Sequence, residues 1–310
     1  MSDTIVIYHA DCIDGFTAAW SFWMVHPEWE YYPAKHGYPA PDVTGKYVYF
    51  LDFSYKKPVL EDMLKTAKHI TIIDHHKSTV KELEDFYHIN LSSIFDMNKS
   101  GASLAWKYVN KIDDWEEIPS LIRYIEDYDL WRFKYKNTKR INSYLGSQPY
   151  DFNVWSSIYS TFEEEDADEI DTILAIGESL INKQTKDVNF FLTKKFRYVI
   201  GEIETWLVNA PFWLASDIGH ELSLTNPFGA TYYYDGQKYI FSLRSNESNP
   251  ECLDVSEIAR TYGGGGHRNA AGFELASPLL IIDPKRLENA YTLIDSKPEL
   301  ISLIEEFNNG

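Results

Sequence analysis

At 310 residues the chain has room for about two domains of ~150 residues with sizeable cores, which excludes a peptide or a disulfide-stapled miniature. Its 44% hydrophobic, 25% charged and 15% aromatic residues, with only 16 Gly and 13 Pro, exclude a disordered or fibrous chain. Lys and Arg number 29 against 47 Asp and Glu, and a formal charge of −18 argues against an extended track for a long polyanion such as duplex DNA.

A β-branched run, Thr4–His9 (TIVIYH), reads as a buried strand that breaks at 11–15 before a helical stretch at 16–25. Tyr47–Leu51 (YVYFL) ends at Asp52, 57–67 is helix-like, and 70–73 (ITII) ends at Asp74, which gives two further strands around a helix. Each strand delivers an acidic residue at its C-terminal end, and in an open parallel sheet ligands bind in the crevice outside those ends. Ser100 can cap a helix running to about Asn110, and 118–131 reads as another helix carrying Asp127 and Asp129. A mostly polar pattern over 166–195, with Ile170, Ile173, Leu174, Ile176, Leu180 and Ile181 at helical spacing, reads as a connector. Beyond it, 198–203 and 206–208 are strand-like, 216–222 is helical, and 230–243 alternates around the hairpin-turn dipeptide Asp235-Gly236. A helix over 255–262, the run GGGGH, and helical stretches around 284–294 and 298–308 complete the chain. The fold class expected is therefore α/β in two domains: a parallel-sheet domain over 1–160, a helical connector over 161–195 and a smaller α/β domain over 196–310.

No apolar run approaches the ~20 residues needed to span a bilayer, and no basic segment opens the chain as a signal would. Cys12 and Cys252 lie far apart with no C-x-x-C, so no disulfide framework or structural zinc pattern is indicated and a reducing cytoplasm fits. The short basic runs at 136–140 and 194–197 read as solvated helix ends rather than a nucleic-acid groove. The excess of carboxylates suits a protein that recruits divalent cations and reaches small phosphates through them.

The strand ends supply His9, Asp11 and Asp14 in H-A-D-C-I-D-G, Asp52 in Y-F-L-D-F-S, and Asp74, His75 and His76 in I-I-D-H-H-K-S. Hard oxygen donors mixed with imidazole suit Mn²⁺ or a similar ion, and so many carboxylates would repel one another unless cations neutralised them. A solvated polar loop is the plain alternative for a lone D-H-H, but three acidic strand ends in series weaken it. In E-D-Y-D-L-W, Asp127 and Asp129 sit two apart, about 200° around a helix, so they cannot both face one metal. One is a ligand candidate and the other a solvated or helix-end residue. In the second half, S-L-R-S-N at 242–246 supplies Arg244 and Ser245, and G-G-G-G-H-R-N-A-A-G-F at 263–273 supplies Gly264, Gly265, Gly266, His267 and Arg268. Glycines let the backbone approach a ligand and expose N–H groups to phosphate oxygens, while the cations add charge; a bare glycine run would be no more than a flexible loop.

Taken in this order, these motifs resemble the DHH phosphoesterases with a DHH-associated C-terminal domain, over nearly the whole chain. The family includes single-strand exonucleases, oligoribonucleases, cyclic-dinucleotide phosphodiesterases, 3′-phosphoadenosine 5′-phosphate phosphatases, and exopolyphosphatase- or pyrophosphatase-like relatives. The resemblance implies two Mn²⁺ ions, with Mg²⁺ or Co²⁺ as substitutes: His9 and Asp11 on one, Asp14 and His75 on the other, Asp52 bridging, and Asp127 or Asp129 completing the second site. It further implies that His76 faces the substrate phosphate, that Asp74 orients the imidazoles, and that Arg244, Ser245, Gly264, Gly265, Gly266, His267 and Arg268 bind substrate across a cleft between the domains. The expected chemistry is hydrolysis of a phosphodiester in short oligonucleotides or cyclic or linear dinucleotides by a metal-bridged hydroxide. A phosphoanhydride hydrolase, a 3′-phosphoadenosine 5′-phosphate phosphatase and a sensor without turnover are the alternatives, and a homodimer is left open. One departure stands out. The family spaces its first two aspartates as D-x-D, whereas here Cys12 occupies the place two before Asp14, so that either Cys12 or a water stands near the first metal.

Overall fold

The computed structural model describes residues 2–112 and 114–276. The chain divides into two compact units, Met1–Lys186 and Asp187–Gly310, and the expected helices around 284–294 and 298–308 lie outside the described residues.

In the first unit the order is β1 (Thr4–His9), α1 (Ile13–Trp23), β2 (Glu30–Ala34), β3 (Tyr47–Leu51), α2 (Lys57–Leu64), β4 (His69–Asp74), α3 (Lys77–Glu82), β5 (Leu91–Phe95), α4 (Gly101–Asn110), α5 (Ser120–Asp129), α6 (Thr138–Leu145) and α7 (Phe152–Glu163). The strands form one wholly parallel sheet in the order β2-β1-β3-β4-β5. Its three central strands are the three apolar runs anticipated from the sequence, because a parallel sheet covered on both faces asks for continuous β-branched residues. Side chains alternate across it: Val6 and Tyr8 of β1 join one core with Leu51, Ile73 and the α1, α4, α5 and α7 side chains, while Ile5 and Ile7 join the opposite core with Val48, Phe50, Ile70 and Ile72. Buried indoles in the first core are satisfied, Trp155 Nε1 donating to Thr17 Oγ1 and Trp20 Nε1 to Ser156 Oγ, both at 3.0 Å.

The edge strands differ from expectation in being absent from it. β2 (EYYPA) carries Pro33 and is half exposed, and β5 (LSSIF) is polar and mostly exposed, so neither shows a buried-strand pattern. The helix expected over 118–131 is a 3₁₀ turn at Trp115–Glu117 followed by α5 from Ser120, with Pro119 setting its start.

The long helix α8 runs Ala167–Leu192, and the boundary between the units falls within it. Ile170, Ile173 and Leu174 pack with the first unit's core; Val188, Phe191 and Leu192 pack with a core of the second. The second unit continues as β6 (Phe196–Ile200), β7 (Ile203–Asn209), α9 (Ala215–Ser223), β8 (Gly229–Tyr234), β9 (Tyr239–Arg244), α10 (Val255–Thr261), β10 (Gly265–His267) and β11 (Ala270–Leu275). These strands make a mixed sheet in the order β10-β11-β9-β8-β7-β6, in which β7 and β8 alone are parallel. It is covered by α9 on one face, where Ile218 and Leu222 meet Val208, and by α10 on the other, where Val255 and Ala259 meet Leu207. Among the described residues no helix is long and apolar enough to cross a membrane.

Candidate metal centre

Three adjacent strands, β1, β3 and β4, end on the same edge of the parallel sheet and bring His9, Asp52, Asp74, His75 and His76 together. Asp52 follows β3 in the left-handed region, at φ 53°, a conformation that costs a non-glycine residue on the order of 1–3 kcal/mol and gathers at functional sites. Its carboxyl sits at the centre of the cluster. Oδ1 lies 3.0 Å from His75 Nε2 and 3.7 Å from His76 Nδ1, while Oδ2 lies 3.5 Å from His9 Nδ1 and accepts from Cys12 Sγ at 3.7 Å. His75 Nε2 in turn lies 3.7 Å from Asp14 Oδ2 and 3.6 Å from Asp129 Oδ2. Two donor sets therefore flank one carboxylate, His9, Cys12 and Asp52 on one side and Asp14, His75 and Asp129 on the other, and within each set the donor atoms lie within 4.8 Å of one another.

Each donor is positioned by its backbone. Asp14, in the first turn of α1, accepts the Gly101 amide on Oδ2 at 2.6 Å and the Ala102 amide on Oδ1 at 3.0 Å, so its carboxylate closes the N-terminus of α4. Ser100, the cap expected from the sequence, accepts the Ser103 amide at 3.3 Å. Gly101 was not singled out by sequence reasoning, yet a β-carbon there would stand 2.5 Å from Asp52 Cβ and 2.9 Å from Asp14 Oδ2. The only sequence sign of it is its place directly after the capping serine. Asp74 Oδ1 accepts the His75 amide at 2.7 Å, the His76 amide at 3.2 Å and His76 Nδ1 at 2.7 Å, an arrangement that fixes the ring of His76.

Asp11 and Asp127 stand outside the two sets. Asp11 takes the left-handed region at φ 57° and pairs with Lys35, while Cys12 turns toward Asp52 in its stead. Asp127 is buried and accepts the amides of Lys134 at 2.9 Å and Tyr135 at 3.1 Å together with the Thr138 hydroxyl. It ties the chain beyond α5 back onto that helix, and Asp129, on the other side of α5, is the one that reaches His75.

The charges of this cluster are in conflict. Burial, then the charges of Asp129 and Asp52, push the Asp14 carboxyl well above the usual range, and loss of water around its carboxyl at the cluster, though the residue is otherwise exposed, raises Asp129 against the pull of His75. Asp52 is held well below the usual range despite burial by its contacts with His75 and His9, and Asp74 is likewise held low despite burial by His76. Burial works against the imidazolium form of His75, but Asp129 and Asp52 lift it well above its ordinary value; in His76 the same penalty is overcome by Asp74, which holds it up at about 9. Burial and then Asp52 push the Cys12 thiol up. On its own charges the cluster thus balances its carboxylates by retaining protons, and His9 Nδ1, buried, makes no hydrogen bond. Carboxylate, imidazole and thiol donors crowded in this way fit divalent cations, which would neutralise the same charge.

The second unit holds the remaining sequence candidates. Arg244 ends β9 and donates to Ser216 Oγ and to the Leu243 carbonyl, each at 2.9 Å. Ser245 is buried and donates to Asn269 Oδ1 at 3.0 Å, and Arg268 pairs with Glu247 at 3.5 Å and Asp254 at 3.8 Å. The glycine run is not a loose loop: 265–267 form β10 against β11, and a β-carbon at Gly264 would strike the Gly272 carbonyl oxygen at 2.0 Å. Close strand packing is thus itself a reason for glycine there. Phe212 and Trp213, 56% and 63% exposed, form an aromatic pair beside Tyr233.

No protein-family model matches the chain. It is 31% identical over 303 residues, covering 86% of this chain and 66% of the other, to the uncharacterised protein R106 of Acanthamoeba polyphaga mimivirus. It is 25% identical over 235 residues, 69% of this chain and 54% of the other, to the oligoribonuclease NrnB of Bacillus subtilis strain 168. The chain thus spans somewhat under two thirds, and about half, of the lengths of these relatives. Among solved structures, the DHH domain of PF0399, named as a member of the s1p family of ribosomal proteins, superposes with a TM-score of 0.62 at 14% identity, covering 95% of this chain and 86% of that one.

Proposed function

From a chain that carries the DHH-domain fold, we propose a divalent-cation-dependent phosphodiesterase that hydrolyses short oligonucleotides or dinucleotides, with Mn²⁺ as its working ion. The observation that carries this reading is the Asp52 carboxylate, whose two oxygens face separate donor sets. A pair of cations held there would supply Lewis acidity and an activated water for attack on phosphorus.

The chain's own residues define the rest. Asp14 is held by the α4 amides and Asp52 by its strand-end backbone, so neither has to reorganise when a phosphate arrives. His76, its Nδ1 fixed on Asp74, is oriented to meet a phosphoryl oxygen. Asp129 is the more exposed acid of α5 and takes the ligand role in preference to Asp127. In the second unit, Arg244 and His267 are assigned to substrate phosphates, and the exposed Phe212 and Trp213 offer faces on which bases can stack. A preference for short substrates follows from the charge of −18, which offers no long electrostatic track. The relative named an oligoribonuclease points the same way.

The test is a Mn²⁺-supplemented assay of the full chain against di- to pentanucleotides, cyclic dinucleotides, 3′-phosphoadenosine 5′-phosphate and pyrophosphate. Cleavage of the short phosphodiesters ahead of the others is expected. Turnover confined to pyrophosphate, or none on any phosphoester, would refute the proposal.

A further inference from the structure

The two donor sets flanking Asp52 are chemically unlike. Asp14, His75 and Asp129 offer oxygen and imidazole, the company of Mn²⁺ or Mg²⁺; His9, Cys12 and Asp52 offer imidazole, sulfur and oxygen. Several features place the sulfur as a donor rather than as packing. Cys12 Sγ is 3.7 Å from Asp52 Oδ2, the oxygen that also faces His9. His9 Nδ1, on the same side, is buried without a hydrogen bond. The neighbouring acid, Asp11, is turned away into an ion pair with Lys35 and offers no carboxylate in place of the thiol. Cys12 precedes α1 with an extended backbone, and its thiol is aimed from the helix start at the Asp52 carboxylate.

We infer that Cys12 is a thiolate ligand and that the His9, Cys12 and Asp52 side of the centre selects a thiophilic divalent ion such as Zn²⁺, Co²⁺ or Fe²⁺, while the Asp14, His75 and Asp129 side retains a hard ion. This rests on the reading of the cluster as a metal centre. The step balances simply: the thiol releases its proton to solvent and the sulfur lone pair forms the bond to the ion, with no change of oxidation state. A mixed pair follows, in which metal availability would set activity through one side of the centre alone.

The chain has two cysteines, which makes the assignment direct. Full-length protein, stripped with chelator and reduced with a phosphine, is titrated with Co²⁺, following near-ultraviolet absorption and bound cobalt. Thiolate-to-cobalt charge-transfer absorption is expected in the wild type and in Cys252→Ser, where Cys12 is the one sulfur ligand left. It should be lost in Cys12→Ser and Cys12→Asp. In competition, Cys12→Asp should shift the preference from Zn²⁺ toward Mn²⁺ by at least the roughly 10–100-fold that loss of a ligand's supporting partner costs. Stoichiometric cobalt without that absorption, or absorption lost in Cys252→Ser, would overturn the inference while leaving the metal centre intact; the wild-type and Cys252→Ser spectra suffice even if Cys12 variants fail to fold. A wild-type chain that binds no cobalt would overturn both this inference and the metal-centre reading.

Discussion

Replacing Gly101 by Ala puts one methyl group where the centre has no room. Its β-carbon would stand 2.5 Å from Asp52 Cβ, 2.9 Å from Asp14 Oδ2 and 3.0 Å from Asp52 Cγ. Carbon contacts sit ordinarily at ~3.5–4.0 Å, so something has to move by about 1 Å. Withdrawing the start of α4 would stretch the bonds from the Gly101 and Ala102 amides to Asp14, at 2.6 and 3.0 Å; moving Asp52 would part it from His75 at 3.0 Å. Either response displaces one of the carboxylates proposed to hold metal. Overpacking of this kind costs roughly 1–3 kcal/mol, and a ~1 Å displacement at a reacting site can cost about 10²-fold in rate. Thermal melting, Mn²⁺ calorimetry and kcat on a trinucleotide should therefore show a folded, modestly destabilised protein that binds Mn²⁺ more weakly and turns over about a hundredfold more slowly. Wild-type Mn²⁺ affinity together with wild-type kcat would show that α4 does not hold the centre as described.

Asp52→Asn should lower binding of both ions at once, read by metal content after dialysis; loss of one ion alone would contradict the central position of that carboxylate. Asp129→Asn should weaken metal binding with little change in melting, whereas Asp127→Asn, which disturbs three hydrogen bonds to a buried carboxyl, should lose stability on the order of 1–3 kcal/mol and keep its metal affinity. The reverse pattern would exchange their roles. Arg244→Ala should impair substrate use with metal content unchanged, and loss of metal would refute its assignment to phosphate. The pH dependence has a defined sign: His76 is raised from 6.5 to about 9 on folding, so its contribution is complete below the unfolded value and is lost as pH climbs through about 9. The raised His75 and the raised carboxyls of Asp14 and Asp129 act in the same direction, while the lowered Asp52 and Asp74 lose their contribution only in acid. Chelator-treated protein should thus lose stability between about pH 6.5 and 9, and Mn²⁺ should flatten the slope; a melting temperature that rises with pH in chelator would refute the charge balance.

What the sequence makes legible follows burial. β1, β3 and β4 are apolar on both faces and end at His9, before Asp52 and at Asp74, so both the strands and the polar groups at their ends can be read directly. β2 and β5 are edges whose residues meet solvent on one side, and their pattern fades accordingly. The helical period separates Asp127 from Asp129 but cannot choose between them, because the choice is made by the amides of Lys134 and Tyr135, which reach Asp127 through a turn with no periodicity. Asp11 and Cys12 are decided by one dihedral angle: a left-handed residue at 11 sends the carboxylate outward and the thiol inward, and spacing alone carries no record of that. Glycine 264 shows the converse, a residue legible as special whose steric cause lies in a strand eight residues away in sequence.

The donors come from β1, α1, β3, β4 and α5, spread from residue 9 to residue 129, and no contiguous peptide contains a complete set. Any ion held by these groups would depend on long-range strand pairing, the slow part of forming a parallel sheet. If the centre completes after the folding barrier, divalent ions should leave the refolding rate of the first unit nearly unchanged and act on its unfolding rate. The persistence of the folded chain, how long it lasts before opening, would then depend on the surrounding metal supply as well as on its hydrophobic core.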